Sequence, residues 1–490
     1  MIAAALLAMF GGLTFVEQEL PVVVPPESIA TGNFFHTADV DGDGVPDLIL
    51  PDRILLQRNG RFNIDSPIPV PDHSRSTYDL WKGEFYFFGS GHLEIMRWTD
   101  KGWERRLEQD MESPSAASSA NRATPAGRRI FFMPFLHDLN GDGVPEIAFP
   151  EESGITIFAR NGKTYRRVST LKIFPGLHYG SIPRQRLWPP EARRIAFPPR
   201  QMSCRCVVDG TRLTLIAPEE LPGKQVRYRV TRYEVDPQHQ YAVIPDKTSQ
   251  IITEPMNRYM QPLALRPGDV DFAGGDWEYA ETSVLPQPIF VTQVTTDNGA
   301  HVESFRAPFF RSSRGSFVDM NGDDRLDIVA EASDLFKGGV RESIERFTNG
   351  TSVQHELRVY IQDDQGRFPP VPSWTASFHI EMTHPPIQND KRFRWYQSGV
   401  LLDASGDFNK DGYRDVVAHD LPNRLAIYLN TGSGLSSRPD ITIPFDPDHR
   451  FDALDLDGDG RSDIVVQWRD SSQSPPVERC RAYLTREAAP

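Results

Sequence analysis

Cysteine is scarce, with three in 490 residues. An odd count excludes a complete disulfide framework. Cys204 and Cys206 sit two apart and Cys480 stands alone near the end. No His-x-x-x-His follows to complete a zinc site. All three read as strand thiols, with a bridge from one of the pair to Cys480 as the alternative. Long apolar runs are also missing. The one uncharged stretch, Ile2 to Val16, has 15 residues. That is short for a membrane span and suits the core of a secretory leader. No Lys or Arg precedes it and no clean A-x-A site follows, so a buried N-terminal strand is the other reading. The expected division is a leader or apolar segment over 1–20 and a single domain over 21–490. No other segment is apolar enough to span a membrane.

A surplus of positive charge is lacking too. Lys and Arg total 53 against 67 Asp and Glu, a net charge of −14. A nucleic-acid binder needs a basic face, so that class is disfavoured. Catalytic signatures are missing as well: there is no H-E-x-x-H and no G-x-S-x-G. Gly162-Lys163-Thr164 resembles the end of a P-loop, but Ile157 stands where the required glycine belongs, so it reads as a hairpin turn. Asp269, Asp271 and Asp276 read as a polar turn, and His36 and His137 as residues at the edge of acidic loops. No Arg-Gly-Asp tripeptide occurs, and Asn349-Gly350-Thr351 is a glycosylation sequon only in a host that uses it.

What the chain has is proline (41), glycine (36) and a repeated acidic loop. The first two suit many short strands joined by turns. The loop follows D-x-[DN]-x-D-[GD]-x-x-[DE] and occurs five times, each time ahead of an apolar pair. Alternate acidic residues in a tight turn can surround a hard cation that takes six to eight oxygens, and Ca²⁺ fits this better than Mg²⁺, which keeps its waters. Side chains at positions one, three, five and nine would ligate, and position seven would offer its carbonyl. The first loop therefore supplies Asp39, Asp41, Asp43, Val45 and Asp47. The second supplies Asp138, Asn140, Asp142, Val144 and Glu146, and the third Asp319, Asn321, Asp323, Arg325 and Asp327. The fourth supplies Asp407, Asn409, Asp411, Tyr413 and Asp415, and the fifth Asp455, Asp457, Asp459, Arg461 and Asp463.

Ligand positions hold 17 carboxylates, so the rest of the chain is close to neutral. An EF-hand is excluded, because position twelve is Leu50, Phe149, Ala330, Ala418 or Val466 rather than Glu. The third loop has Asp324 where the others have glycine, and the fourth has Lys410 after position three. Asp and Gly are also ordinary turn formers, so empty turns are the competing reading.

These loops resemble the calcium loops of FG-GAP/VCBS repeats, the blade units of integrin α-subunit-type β-propellers. The resemblance is carried by the five loops and the strands after them, and is silent on residues 176–315. It implies an all-β propeller of seven blades, with eight as the alternative, built from four-stranded antiparallel blades with insertions. Up to five structural Ca²⁺ ions would be held. The protein would be extracellular, on the cell surface or periplasmic, and would bind a protein or glycan. A propeller-type polysaccharide lyase or hydrolase is the alternative, and a purely structural surface protein is the third reading.

Along the chain, calcium-loop units are expected near 34–70, 130–170, 315–375, 400–445 and 450–490. Loop-free blades are expected at 76–112 and 185–310. Residues 112–128 read as a connection, 333–350 as room for a short helix, and 372–396 as irregular. The last blade is one strand short, and Val22-Val23-Val24 is the candidate to fill it.

Overall fold

The computed structural model describes residues 12–21, 36–50, 52–71, 77–89, 91–111, 131–132, 135–151, 154–172, 194–196, 205–209, 212–221, 225–237, 241–253, 261–263, 271–280, 287–296, 301–308, 317–333, 351–382, 402–421, 423–446, 449–470, 472 and 477–487. Among them there is no α-helix, and no helix long and apolar enough to cross a membrane. The architecture is all-β. The contacts divide the chain into two compact units, one of residues 23–256 and one of residues 1–22 with 257–490.

Strand β1 (Leu13–Leu20) belongs to the second of these units and is taken up with it. The 23–256 unit starts with β2 (His36–Ala38), β3 (Asp47–Ile49), β4 (Arg53–Leu55), a small ribbon of β5 (Gln57–Arg58) and β6 (Arg61–Phe62), and β7 (Ile68–Pro69). The sheet order is β2-β3-β4-β7. The next sheet holds β8 (Thr77–Trp81), β9 (Glu84–Gly89), β10 (His92–Thr99) and β11 (Gly102–Asp110), with β12 (Phe131–Phe132) added parallel to β8. Then come β13 (Leu136–His137), β14 (Glu146–Glu151), β15 (Gly154–Asn161) and β16 (Thr164–Lys172). The last sheet of this unit has five strands: β17 (Arg194–Ala196), β18 (Arg205–Asp209), β19 (Arg212–Leu221), β20 (Gln225–Asp236) and β21 (Ala242–Thr253).

The other unit continues with β22 (Gln261–Leu263), β23 (Asp271–Ala280), β24 (Gln287–Thr296) and β25 (His301–Pro308). It adds β26 (Phe317–Val318), β27 (Asp327–Ser333), β28 (Thr351–Tyr360) and β29 (Trp374–Met382), then β30 (Leu402–Gly406), β31 (Asp415–Leu421), β32 (Arg424–Tyr428) and β33 (Ile441–Pro444). The final sheet is β34 (Arg450–Leu454), β35 (Asp463–Asp470), β36 (Val477–Glu487) and β1, in the order β1-β36-β35-β34.

Apart from β12, which is parallel to β8, and β1, which joins β36, the four- and five-stranded sheets are antiparallel meanders, the topology of a propeller blade. Among the described residues the sheets of four or five strands number eight, two of them within 185–310, against an expectation of seven blades with eight as the alternative. Residues 374–382, expected to be irregular, form β29, which pairs with β28 from Thr351↔Met382 to Val359↔Trp374. The proposed helix at 333–350, the connection at 112–128 and the strand at Val22–Val24 lie outside the described residues, apart from Ser333 at the end of β27. The strand that completes the final sheet is β1, in register from Leu13↔Glu487 to Leu20↔Cys480. Cys480 is free and buried, Cys204 lies outside the described residues, and Cys206 lies on β18.

The apolar pair after each acidic loop explains where the cores form. Strands buried on both faces read as continuous apolar runs rather than as alternation. Val416, Val417 and Ala418 show this division. Val416 and Ala418 pack with Val329, Leu357 and Val359 of the preceding sheet. Val417 faces the other way, onto Ile464, Val466 and Tyr483 of the following one. In the 23–256 unit the same division puts Phe85 and Phe87 against Ile49 and Ile54. Tyr86 and Phe88 meet Ile147, Phe149 and Phe158. The sheets of β8–β11 and β30–β33 are thus covered by a neighbour on each face, which helps to keep a four-stranded sheet of this size stable in place.

Candidate metal centre

All five acidic loops join the first strand of a sheet to the second, as β2 to β3, β13 to β14, β26 to β27, β30 to β31 and β34 to β35. Their hydrogen bonding repeats. The position-one Asp accepts from backbone amides deeper in the loop: Asp39 from Gly42 (2.7 Å) and Gly44 (3.0 Å), Asp455 from Gly458 (2.7 Å) and Gly460 (3.0 Å). Asp138 accepts from Gly143, Asp319 from Gly322 and Asp324, and Asp407 from Gly412. Position five accepts from the amide of position seven. Asp43 takes Val45, Asp142 takes Val144, Asp323 takes Arg325, Asp411 takes Tyr413 and Asp459 takes Arg461.

The turn needs left-handed backbone at position six, where Gly143 has φ +80° and Gly460 φ +88°. Asp324 takes this conformation at φ +63°, and Lys410 takes it at position four at φ +60°. Both departures noted in the sequence are therefore accommodated by strain rather than by a different turn.

Position nine has a second task that spacing does not show. Asp47, Glu146, Asp327, Asp415 and Asp463 are all at most 2% exposed. One oxygen of each accepts the amide of position two: Val40, Leu139, Met320, Phe408 and Leu456, at 2.7–2.9 Å. In four loops the other oxygen accepts an amide from beyond the second strand: Gln57 (2.8 Å), Gln362 (2.9 Å), Asn430 (2.8 Å) or Thr485 (2.7 Å). The residue pins the loop to its own sheet. Glu146 is one methylene longer, and its second oxygen meets the Tyr241 hydroxyl (2.7 Å) and the Asn140 amide (3.0 Å) instead. Burial pushes these carboxyls up, Asp47 to about 6, Asp327 and Asp415 to about 7 and Asp463 to about 8, and raises Glu146 as well. A nearby divalent cation would offset that cost.

Several features fit a hard cation. Oxygens of Asp39, Asp41 and Asp43 lie within 4.8 Å of one another, and so do those of Asp455, Asp457 and Asp463. Asp138 Oδ1 and Asn321 Oδ1 are buried and have no hydrogen-bond partner among the described residues. Where position three is Asn, its Nδ2 donates to position five: Asn140 to Asp142, Asn321 to Asp323 and Asn409 to Asp411, at 2.8–3.0 Å. The Oδ1 of Asn321 is left for a metal, whereas those of Asn140 and Asn409 also accept the amides of Asp142 (2.8 Å) and Asp411 (3.3 Å).

Basic side chains share these carboxylates, and loop spacing does not reveal them. Arg58 pairs with Asp41 and Asp43, Arg486 with Asp457 and Asp459, and Arg325 with Asp323 and Asp364.

Loops four and five are also tied to each other. Ser462 N donates to Asp407 O (2.7 Å), Asp407 N to Ser462 Oγ (2.8 Å), Lys410 Nζ to Asp459 O (2.6 Å), and Arg461 Nη1 to Asn409 O (2.8 Å). Asp271 and Asp276 lie on β23 rather than in a turn, and Asp269 lies outside the described residues.

A family model described as an FG-GAP-like repeat matches residues 407–466, the span that contains both of these tied loops. No curated protein matches the chain. Among solved structures, Kluyveromyces lactis Hsv2 is similar at 12% identity and a TM-score of 0.30, over 80% of this chain and 93% of that one. The WD40 domain of SCAP from fission yeast is similar at 10% identity and a TM-score of 0.25, over 56% of this chain and 74% of that one. Neither likeness is close enough to carry an argument about function. On the family match, the chain carries an FG-GAP-like repeat at residues 407–466.

Proposed function

We propose that this protein is a calcium-stabilised β-propeller that works outside the cytoplasm as a binding module for a protein or glycan. The observation that carries the reading is the repeated loop geometry, with three carboxylates of the first loop and three of the fifth drawn within 4.8 Å. In that reading Asp39, Asp41, Asp43 and Asp47 hold one ion, and the matching residues of the other four loops hold theirs. The ion neutralises like charges that otherwise raise the cost of folding. Low-affinity extracellular calcium modules bind at roughly 10⁻⁴ to 10⁻³ M, so sites of this kind fill only where calcium is abundant. Export to such a compartment follows from the same chemistry.

Equilibrium dialysis against calcium, with the bound metal counted per chain, tests the reading. The expected stoichiometry rises toward five and falls by one in Asp457→Asn. Uptake no greater than that of a control protein without such loops would overturn it.

A further inference from the structure

A cavity of about 510 Å³ opens in the 23–256 unit between the first acidic loop and the turn of β8 and β9. Its lining includes His36, Asp39, Asp79, Lys82, Arg97 and Phe132. This volume lies within the range of small-molecule sites, roughly 300–1,000 Å³.

The charges divide unequally. Asp79 is fully buried and accepts the backbone amides of Leu80 (2.8 Å), Phe135 (2.9 Å) and Leu136 (2.8 Å). Asp39 is engaged by two amides of its own loop. Lys82 donates to the Gly143 carbonyl at 2.9 Å. Arg97 differs from all of these. It is exposed on β10, where its backbone lies in the ladder between Glu84 and Glu104, and its side chain makes no ion pair or hydrogen bond among the described residues. A Cβ placed on Gly42 would come within 3.9 Å of its Nη2, so the guanidinium stands over the first loop. On the inner side His36 stacks on Phe132, with ring centroids 3.9 Å apart and planes 23° apart.

We propose that this cavity binds an acidic saccharide of one or two residues, with its carboxylate on Arg97. A guanidinium fork matches a carboxylate with two parallel hydrogen bonds. The lining acids are already committed to backbone amides, so Arg97 is the charge left to choose the ligand. The volume suits a short saccharide. This deepens the binding-module reading and rests on it by naming the ligand class of one site.

The test is calorimetric titration of the full chain with digalacturonate, and with neutral digalactose as control, in about 1 mM calcium. Digalacturonate is expected to bind and digalactose not to. Arg97→Ala is expected to weaken the acidic ligand at least tenfold, with Arg97→Lys intermediate. Arg106→Ala, on the neighbouring strand β11 and paired with Glu104, is expected to leave it unchanged. No binding of digalacturonate, equal binding of both sugars, or full binding by Arg97→Ala would each overturn the proposal. Calcium uptake measured on the same samples decides the loop reading separately, so the two can fail independently.

Discussion

Two kinds of connection occupy the same place in these sheets. In five sheets the first and second strands are joined by a nine-residue acidic loop. In the sheet of β8 to β11 they are joined by two residues, Lys82 and Gly83, at φ +49° and +77°. That is the pairing of a tight type I′ hairpin. The long loop gathers carboxylates that, on the proposed reading, take a cation from solution. The short turn brings its own: Lys82 Nζ, with Trp81 Nε1, donates to the Gly143 carbonyl of the second loop. The fourth loop does both, since Lys410 reaches from inside it to Asp459 O of the fifth. The position-six glycines take these lysines closely: a Cβ on Gly143 would meet Lys82 Nζ at 3.2 Å, and one on Gly460 would meet Lys410 Nζ at 2.7 Å. The shared requirement is positive charge beside the exposed carbonyls of the next loop, supplied by lysine where the chain provides it.

The largest effect that bears on this comparison is expected at position nine. Asp463→Ala leaves the buried amides of Leu456 and Thr485 without acceptors, at about 1–3 kcal/mol each. The measurement is urea unfolding in chelator, with Asp43→Ala as the exposed counterpart. Equal losses for the two would remove position nine from its pinning role.

Next in size is the calcium-dependent part. Asp457→Asn is expected to lose one site's contribution, roughly 0.4–1.4 kcal/mol at about 1 mM calcium. In chelator it should lose less, only what its pairing with Arg486 contributes. A loss of the same size with and without calcium would make Asp457 a partner of Arg486 and nothing more.

Lys82→Ala and Lys410→Ala are expected to cost about 1 kcal/mol each, the worth of one hydrogen bond. Lys82→Ala should do so equally in calcium and in chelator. Lys410→Ala should also weaken calcium binding at the fifth loop a few-fold. If the two behave identically, the coupling between the fourth and fifth loops is absent.

The smallest effect is expected from Glu146→Asp, which withdraws the carboxylate from the Tyr241 hydroxyl at a cost of about 1 kcal/mol or less. Differential scanning calorimetry of the two proteins would show it as a shift of a degree or two. No shift would mean that Glu146 does not depend on Tyr241.

Much of this architecture was legible in the residues. The acidic loops and the apolar pairs behind them mark the first and second strands of five sheets, because ligand spacing and burial are both local patterns. The turn at Gly162-Lys163 marks the hairpin of β15 and β16 for the same reason. What stayed hidden depends on distance along the chain. The amides that Asp327 and Asp463 hold lie 35 and 22 residues away, and no spacing rule selects Gln362 or Thr485. The strand that completes the last sheet is Leu13–Leu20, paired with residues near the other end. Its apolar lead-in reads as a leader or as a buried strand, and its pairing with β36 is not visible in the sequence. Residues 185–310 left the choice between seven and eight blades open, because strands without a loop between them carry no marker of where a sheet ends; the described strands there form two sheets. Trp374–Met382 reads as irregular for want of a nearby turn signal, yet it pairs along its whole length with β28. Arg97 gave no signal at all, since an isolated arginine on an alternating strand looks like any solvated residue.

The central claim is that the five loops are calcium sites that hold the fold together. Thermal unfolding of the full chain in excess chelator, against about 1 mM calcium and with magnesium as control, tests it most directly. Five sites of this class predict roughly 2–7 kcal/mol of calcium-specific stabilisation, and so a rise in Tm of several degrees that magnesium does not reproduce. The same Tm in all three conditions, on protein shown to carry no bound metal, would contradict it.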